Sequence, residues 1–287
     1  MTAPAPGSAE WLKYMTASKI AAVVGTSPYE SKFSLWHKMH GDIPSGHVTD
    51  NPIFNYGHYL EPVLLKWFSD QHPELDVRPG GWTEVQGWAG ATPDGVYWTG
   101  LRRGTGVGEG IVECKTSRLA WEWDNGVPAG YYDQVQWALW VTGERTAFVV
   151  ADVAMEFREY RVERDEERIA YLVEQAGAFM DSLASGEAPP IDGSSHTYEA
   201  IRQIHPEIDP EDVEVPDDLA VMWLDAREAL ADATDRERAL KSEIAALMGT
   251  ARRATWRDCT LFTRQAKAGG TPYLVAGRNL PGTERAA

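Results

Sequence analysis

The sequence predicts an α/β protein followed by a helical extension, and three observations carry that prediction. Segments of helical periodicity alternate with short apolar strands between residues 15 and 185. A stretch rich in turn formers, GEAPPIDGSS at 186–195, then interrupts the pattern and reads as a linker. Beyond it, Leu219, Trp223, Ala226, Leu230, Ala233, Glu237, Leu240, Ile244 and Leu247 are spaced alternately by four and three, a heptad seam broken only at Glu237. The expected division is therefore 11–185 for the main domain and 186–287 for a heptad-bearing extension with short strands.

Each element has a local reason. Met15 to Val24 offers Thr16 and Ser18 as caps, then apolar residues at helical spacing, and Gly25 stops it. TSPYES makes a turn, and Phe33 to His40 forms a second helix closed by Gly41. From Phe54 to His72, Leu60, Leu64, Trp67 and Phe68 mark one apolar face of a longer helix. Strands follow at Thr83–Gln86, at Val96–Trp98 after the ATPDG turn of 91–95, and at Ile111–Cys114 after a glycine-rich hairpin loop at 102–110. A helix from Ala129 to Val141 ends at Gly143. Thr146–Val153 and Phe157–Val162 read as strands, and Asp165–Ser185 as a long acidic helix.

Composition narrows the class. A chain of 287 residues with 43% hydrophobic and 24% charged residues can bury a core without staples. Cys114 and Cys259 are the two cysteines, too few for a disulfide framework, and a reducing cytoplasm is the expected location. No run of 18 apolar residues reads as a membrane span, and MTAPAPGSAEW lacks the features of a secretory signal. The net charge of −16 argues against general affinity for nucleic acid, but it is uneven. Residues 155–249 carry nine Lys and Arg against 24 Asp and Glu, whereas residues 250–287 carry seven against two.

Chemistry concentrates in Asp94, Glu113 and Lys115. The TPDG turn pushes the Asp94 carboxylate out at a strand end. Strand alternation puts Glu113 and Lys115 on one face and turns Cys114 into the core. Two carboxylates at neighbouring strand ends make a hard-oxygen site suited to Mg²⁺ or Mn²⁺, and a lysine beside them can orient water or stabilise charge on a phosphate. No GxxxxGK[ST] phosphate loop is present, and His37 with His40 lack further ligands for zinc. Trp137 and Trp140 read as core rather than as a base-stacking surface.

Four ordered blocks carry a resemblance. MTASKIAAVVGTSPY at 15–29, GHYLEP at 57–62, ATPDG and IVECKT between 91 and 116, and YYDQVQWALWVTG at 131–143 resemble the YqaJ-type phage recombinase and lambda exonuclease family, within the restriction-endonuclease-like PD-(D/E)xK nucleases. The resemblance spans residues 11–185 and implies a restriction-endonuclease-like core, a central mixed sheet flanked by helices. It implies Asp94 and Glu113 as holders of Mg²⁺, which Mn²⁺ would replace, with the Cys114 carbonyl as a further ligand. Lys115 would be the catalytic lysine. Glu61, placed on the helix face opposite the apolar stripe, would position water, and Gln134 would be the active-site glutamine of the following helix. Ser18 and Thr16 would lie near the terminal phosphate of a DNA end. An arginine expected just before them is absent here, and Lys13 would take its place as a point charge.

The activity so implied is a 5′-to-3′ exonuclease on linear double-stranded DNA that leaves 3′ single-stranded overhangs for phage-type recombination. The alternatives are a non-catalytic module that binds DNA ends, and a related repair nuclease of different polarity. A trimeric ring and a single-strand annealing partner are also implied. The heptad helix is open to pairing within its own chain, with another subunit, or with such a partner.

Overall fold

The computed structural model describes residues 3–44, 52–99, 109–277 and 280. It forms two compact units, divided between Glu207 and Ile208. The first is an α/β unit, as the sequence predicts. Its elements in chain order are β1 (Met15–Thr16), α1 (Ala17–Val23), α2 (Lys32–His40), α3 (Pro52–Gln71), β2 (Leu75–Pro79), β3 (Thr83–Val85), β4 (Ala89–Ala91), β5 (Gly95–Thr99), β6 (Gly110–Ser117), α4 (Ala129–Thr142), β7 (Thr146–Val153), β8 (Glu156–Glu163), α5 (Glu166–Ser185) and α6 (Ser195–Ile204).

The central sheet is mixed, in the order β2-β5-β6-β7-β8, with β6 and β7 parallel and the other neighbours antiparallel. β7 and the first half of β6 are largely apolar because both of their faces are covered there. Ile111, Ala147 and Val149 pack with Val135, Trp137 and Leu139 of α4 on one side. Val112, Cys114 and Val150 pack with Leu64 and Phe68 of α3 on the other. Trp137 is fully buried and its indole N–H donates to the Gly90 carbonyl (3.2 Å), as a core residue requires.

Buried polar contacts tie the helices together. Arg168 of α5 forks onto Asp133 of α4 at 2.7 and 2.8 Å, and the Thr26 hydroxyl donates to the same carboxylate at 2.6 Å. Asp165 caps α5 by accepting from the Arg168 N–H, and Ser31 caps α2 by accepting from Ser34. Gly41, Gly143 and Gly186 end their helices at positive φ, where a side chain would be strained.

Several elements differ from expectation. Met15 and Thr16 form a short parallel strand with β4, so α1 begins at Ala17; the Thr16 hydroxyl bonds that of Ser18 instead of capping the helix. β2, β4 and α6 were not expected. The main unit also runs past residue 185, because α6 packs Ala200 against Phe33 and Ile43, and Thr197 bonds Ser31. The glycine-rich loop expected at 102–110 lies, up to residue 108, outside the described residues.

The second unit holds α7 (Asp217–Met248) and an antiparallel sheet, β9 (Arg253–Trp256), β10 (Cys259–Gln265) and β11 (Tyr273–Ala276), in the order β11-β10-β9. The heptad segment is thus one helix. Among the described residues no helix is long and apolar enough to cross a membrane.

Candidate active site

The site is built on β6 and on the turn that enters β5. Alternation sends Glu113 and Lys115 toward α4, and the Lys115 ammonium donates to Glu113 Oε1 at 2.7 Å. Both are deep: the Glu113 residue is 5% exposed and the Lys115 side chain 13%. Asp94 reaches across from the neighbouring strand, where its Oδ2 accepts the Cys114 N–H at 2.6 Å. Two glycines make room for that turn. A Cβ on Gly80 would sit 2.0 Å from the Pro93 carbonyl oxygen, and one on Gly95 would meet Leu65 of α3 at 2.8 Å.

Electrostatics follow from this crowding. Burial, and after it the Glu113 charge, holds the Asp94 carboxyl well above the usual carboxylate range, against the pull of Lys115 and the Cys114 N–H. Burial alone would lower the Lys115 ammonium, but Glu113 and Asp94 outweigh it and hold it above its ordinary value. The Cys114 thiol is pushed up by burial and by Asp94, which removes thiolate chemistry.

The helices supply the remaining groups. Gln134 of α4 donates to Glu113 Oε1 at 2.5 Å. Gln136, two residues on, faces elsewhere: it donates to the Glu163 carbonyl and accepts the Asp165 N–H. Glu61 requires a correction. With Leu64 and Phe68 it stands at i, i+3 and i+7, so it shares the face of the apolar stripe, not the opposite one. Its carbonyl oxygen accordingly lies 3.9 Å from the Cys114 sulfur, and its charge is felt at Asp94. The next residue, Pro62, lies inside the helix and has no N–H to give the His58 carbonyl.

Contacts around Glu61 escaped the sequence reading. His58 Nδ1 lies 2.8 Å from Glu61 Oε1. Tyr56, on the preceding turn, donates to Asp152 of β7 at 3.1 Å. Asp152 is 6% exposed and pairs in register with Thr116. An aspartate inside an apolar strand was the available signal.

The three residues expected at the terminal phosphate are less concentrated. Thr16 is buried, Ser18 is exposed, and their hydroxyls are 3.1 Å apart. Lys13 is exposed and ion-paired with Glu10 at 2.8 Å. Among the described residues no hydrogen bond joins them to Asp94, Glu113 or Lys115. Lys19 beside them was missed: it is 3% exposed and donates to the Trp11 and Tyr14 carbonyls at 2.7 and 2.6 Å. Burial pulls its pKa down to about 7.

The donor set suits a hard cation. One oxygen each of Asp94 and Glu113, Oδ2 and Oε1, is engaged by protein donors, and the second oxygen of each carboxylate makes none of these bonds. A divalent cation would offset both the burial and the Glu113 charge that raise Asp94. Among the described residues no three His, Cys, Asp or Glu side chains form a metal cage. The two carboxylates would therefore hold a cation with help from water or substrate oxygens, the usual habit of Mg²⁺.

The chain is similar to several known proteins. YqaJ of Bacillus subtilis strain 168, described as uncharacterized, is 27% identical over 211 residues, which are 69% of this chain and 63% of that protein. The match thus spans less than two thirds of that relative's length. Among solved structures, the alkaline exonuclease LHK-Exo of Laribacter hongkongensis aligns with a TM-score of 0.48 at 22% identity, covering 61% of this chain and 90% of that one. A phage-related exonuclease of Haemophilus somnus aligns with a TM-score of 0.44 at 14% identity, covering 61% and 96%. The description YqaJ-like viral recombinase domain matches residues 10–145, the span that holds Glu61, Asp94, Glu113, Lys115 and Gln134. Over that span the chain is similar to YqaJ-like viral recombinases, in agreement with the blocks its sequence carries.

Proposed function

We propose that the chain is a metal-dependent exonuclease that degrades linear double-stranded DNA from its 5′ ends and leaves 3′ overhangs for recombination. The observation that carries this reading is the convergence of Asp94, just before β5, with Glu113 and Lys115 in the middle of β6, and with Gln134 bonded to Glu113. Asp94 and Glu113 would hold Mg²⁺, with Mn²⁺ able to replace it and the Cys114 carbonyl as a further oxygen. Bound there, the cation polarises the scissile phosphate and makes water more acidic.

The chain's own groups do the rest. Lys115, kept charged by the two carboxylates, faces the negative charge that builds on the phosphate. Gln134 and Lys115 share Glu113 Oε1 and so fix the rotation of that carboxylate. Glu61 accepts a hydrogen bond from the attacking water, and His58 restrains its other oxygen. Ser18, Thr16 and Lys13 contact the 5′-phosphate. A trimeric ring would keep the enzyme on its DNA, and a single-strand annealing protein would receive the overhang.

The test is digestion of a linear duplex phosphorylated at one 5′ end only, with Mg²⁺ or with EDTA. The expected result is metal-dependent loss of the phosphorylated strand, slowed by about 10²- to 10³-fold in Lys115→Ala. Cleavage by Lys115→Ala at the wild-type rate overturns the site. Loss from 3′ ends overturns the polarity.

A further inference from the structure

α7 carries its apolar seam on the outside. Leu219, Trp223, Leu230 and Leu240 are each more than half exposed, and Ala226, Ala233 and Glu237 between them are exposed as well. The β9–β11 sheet meets the helix along a different strip. The Lys241 ammonium lies 5.8 Å over the Phe262 ring, Arg264 donates to the Ala245 carbonyl at 3.4 Å, and Met248 is buried. Lys241, Ala245 and Met248 stand at i, i+4 and i+7, one step round the helix from Leu240, Ile244 and Leu247. Leu240 and Leu247 accordingly stay in solvent.

The seam is its own complement when reversed. Turned end for end about its midpoint, between Ala231 and Asp232, it sets Leu219 against Ile244, Trp223 against Leu240, Ala226 against Glu237 and Leu230 against Ala233. No seam residue between 219 and 244 is left over, and in the central layers a large side chain meets a small one, as close packing needs. Beside the seam, Arg227 then lies by Thr234 and Arg236 by Ala229, so like charges are kept apart. A parallel pair would set Glu237 on Glu237 inside the seam and Arg236 beside Lys241.

Charge along the unit selects the same direction. Residues 208–225 carry seven Asp and Glu and no Lys or Arg, whereas residues 252–267 carry five Lys and Arg against one Asp. An antiparallel pair brings the acidic end of one copy to the basic end of the other. A parallel pair stacks like on like.

We propose that α7 is an interface between two copies of this chain, paired antiparallel along the seam from Leu219 to Ile244. At the rise of an α-helix that seam is about 38 Å long. Glu237 weakens the pair but fixes its register and direction, because the reversed copy offers it an alanine in place of a second carboxylate. An unrelated partner helix would have no reason to mirror the seam about its own midpoint. The contact uses the same patch on both copies and so closes after two. It does not depend on the exonuclease activity proposed above.

The test of direction uses the full chain carrying Cys259→Ser, Ala226→Cys and Glu237→Cys, oxidised and run on a non-reducing gel. Positions 226 and 237 are 11 residues apart on one helix, about 16 Å, too far to bridge, so a disulfide between them joins two chains. Antiparallel pairing gives a covalent dimer from the double change and none from Ala226→Cys or Glu237→Cys alone. A dimer from either single change, or none from the double, overturns the proposal. Sedimentation velocity over a dilution series then reads the step in which the mass doubles. Trp223→Ala should weaken that step at least ~10-fold, and Glu237→Leu should tighten it at least ~10-fold. Leu230→Ser, nearly silent for the folding of a single chain, should weaken it at least ~10-fold. Indifference of the step to these three changes also overturns the proposal.

Discussion

The two units are held together by opposite means. In the first, charged groups are buried and answered by partners: Asp133 by Arg168 and Thr26, Glu113 by Lys115 and Gln134. In the second, α7 runs for 32 residues with Met248 as its buried residue, and Leu219, Trp223, Leu230 and Leu240 are exposed. Tertiary contacts place side chains to within a hydrogen bond, whereas a helix supported mainly along its own length leaves its side chains for other uses.

Three substitutions sharpen that contrast. Asp133→Ala leaves the Arg168 guanidinium half-buried and unanswered, and should destabilise the first unit by about 3–5 kcal/mol in urea unfolding, with the second unit's transition unmoved. Lys19 tests the same principle through pH. Its folded pKa is near 7 against an ordinary 10.5, so between those values the unfolded chain binds the extra proton and stability rises with pH. Below about 7 the whole penalty is present, on the order of a few kcal/mol. Lys19→Met should flatten the rise in Tm between pH 7 and 10.5; an unchanged slope would show that another group carries it. The smallest effect belongs to α7: Leu230 is 68% exposed, and Leu230→Ser should change the second unit's stability by no more than about 0.5 kcal/mol.

Local pattern told most where local physics decides. The heptad helix, the glycine caps at 41 and 143, and the common face of Glu113 and Lys115 all follow from period and backbone preference. Contacts between distant segments were not legible. Tyr56 and Asp152 are 96 residues apart, and nothing nearby in sequence pairs them. Gln134 and Gln136 look alike in the local pattern; the resemblance alone singled out Gln134, and the positions of β6 and β8 give the two their different partners. Glu61 shows a different failure: its spacing from Leu64 and Phe68 already placed it on the buried side, but a charged residue invites the assumption that it faces water. α6 was hidden because a proline- and glycine-rich stretch reads as a boundary, although Thr197 and Ala200 dock the helix back onto α2.

The bond from the Cys114 N–H to Asp94 carries a consequence for how this protein tolerates change. The residue between the two charged groups of β6 meets Asp94 through its main chain, and its side chain fills space beside Leu64, Phe68 and Val150 with a long 3.9 Å contact to the Glu61 carbonyl. Any residue of similar bulk keeps that N–H in place. Valine at this position should therefore be silent for the chemistry while freeing the interior of the sheet from an oxidisable atom, so sequence drift and resistance to oxidation are coupled here at no expense to the site.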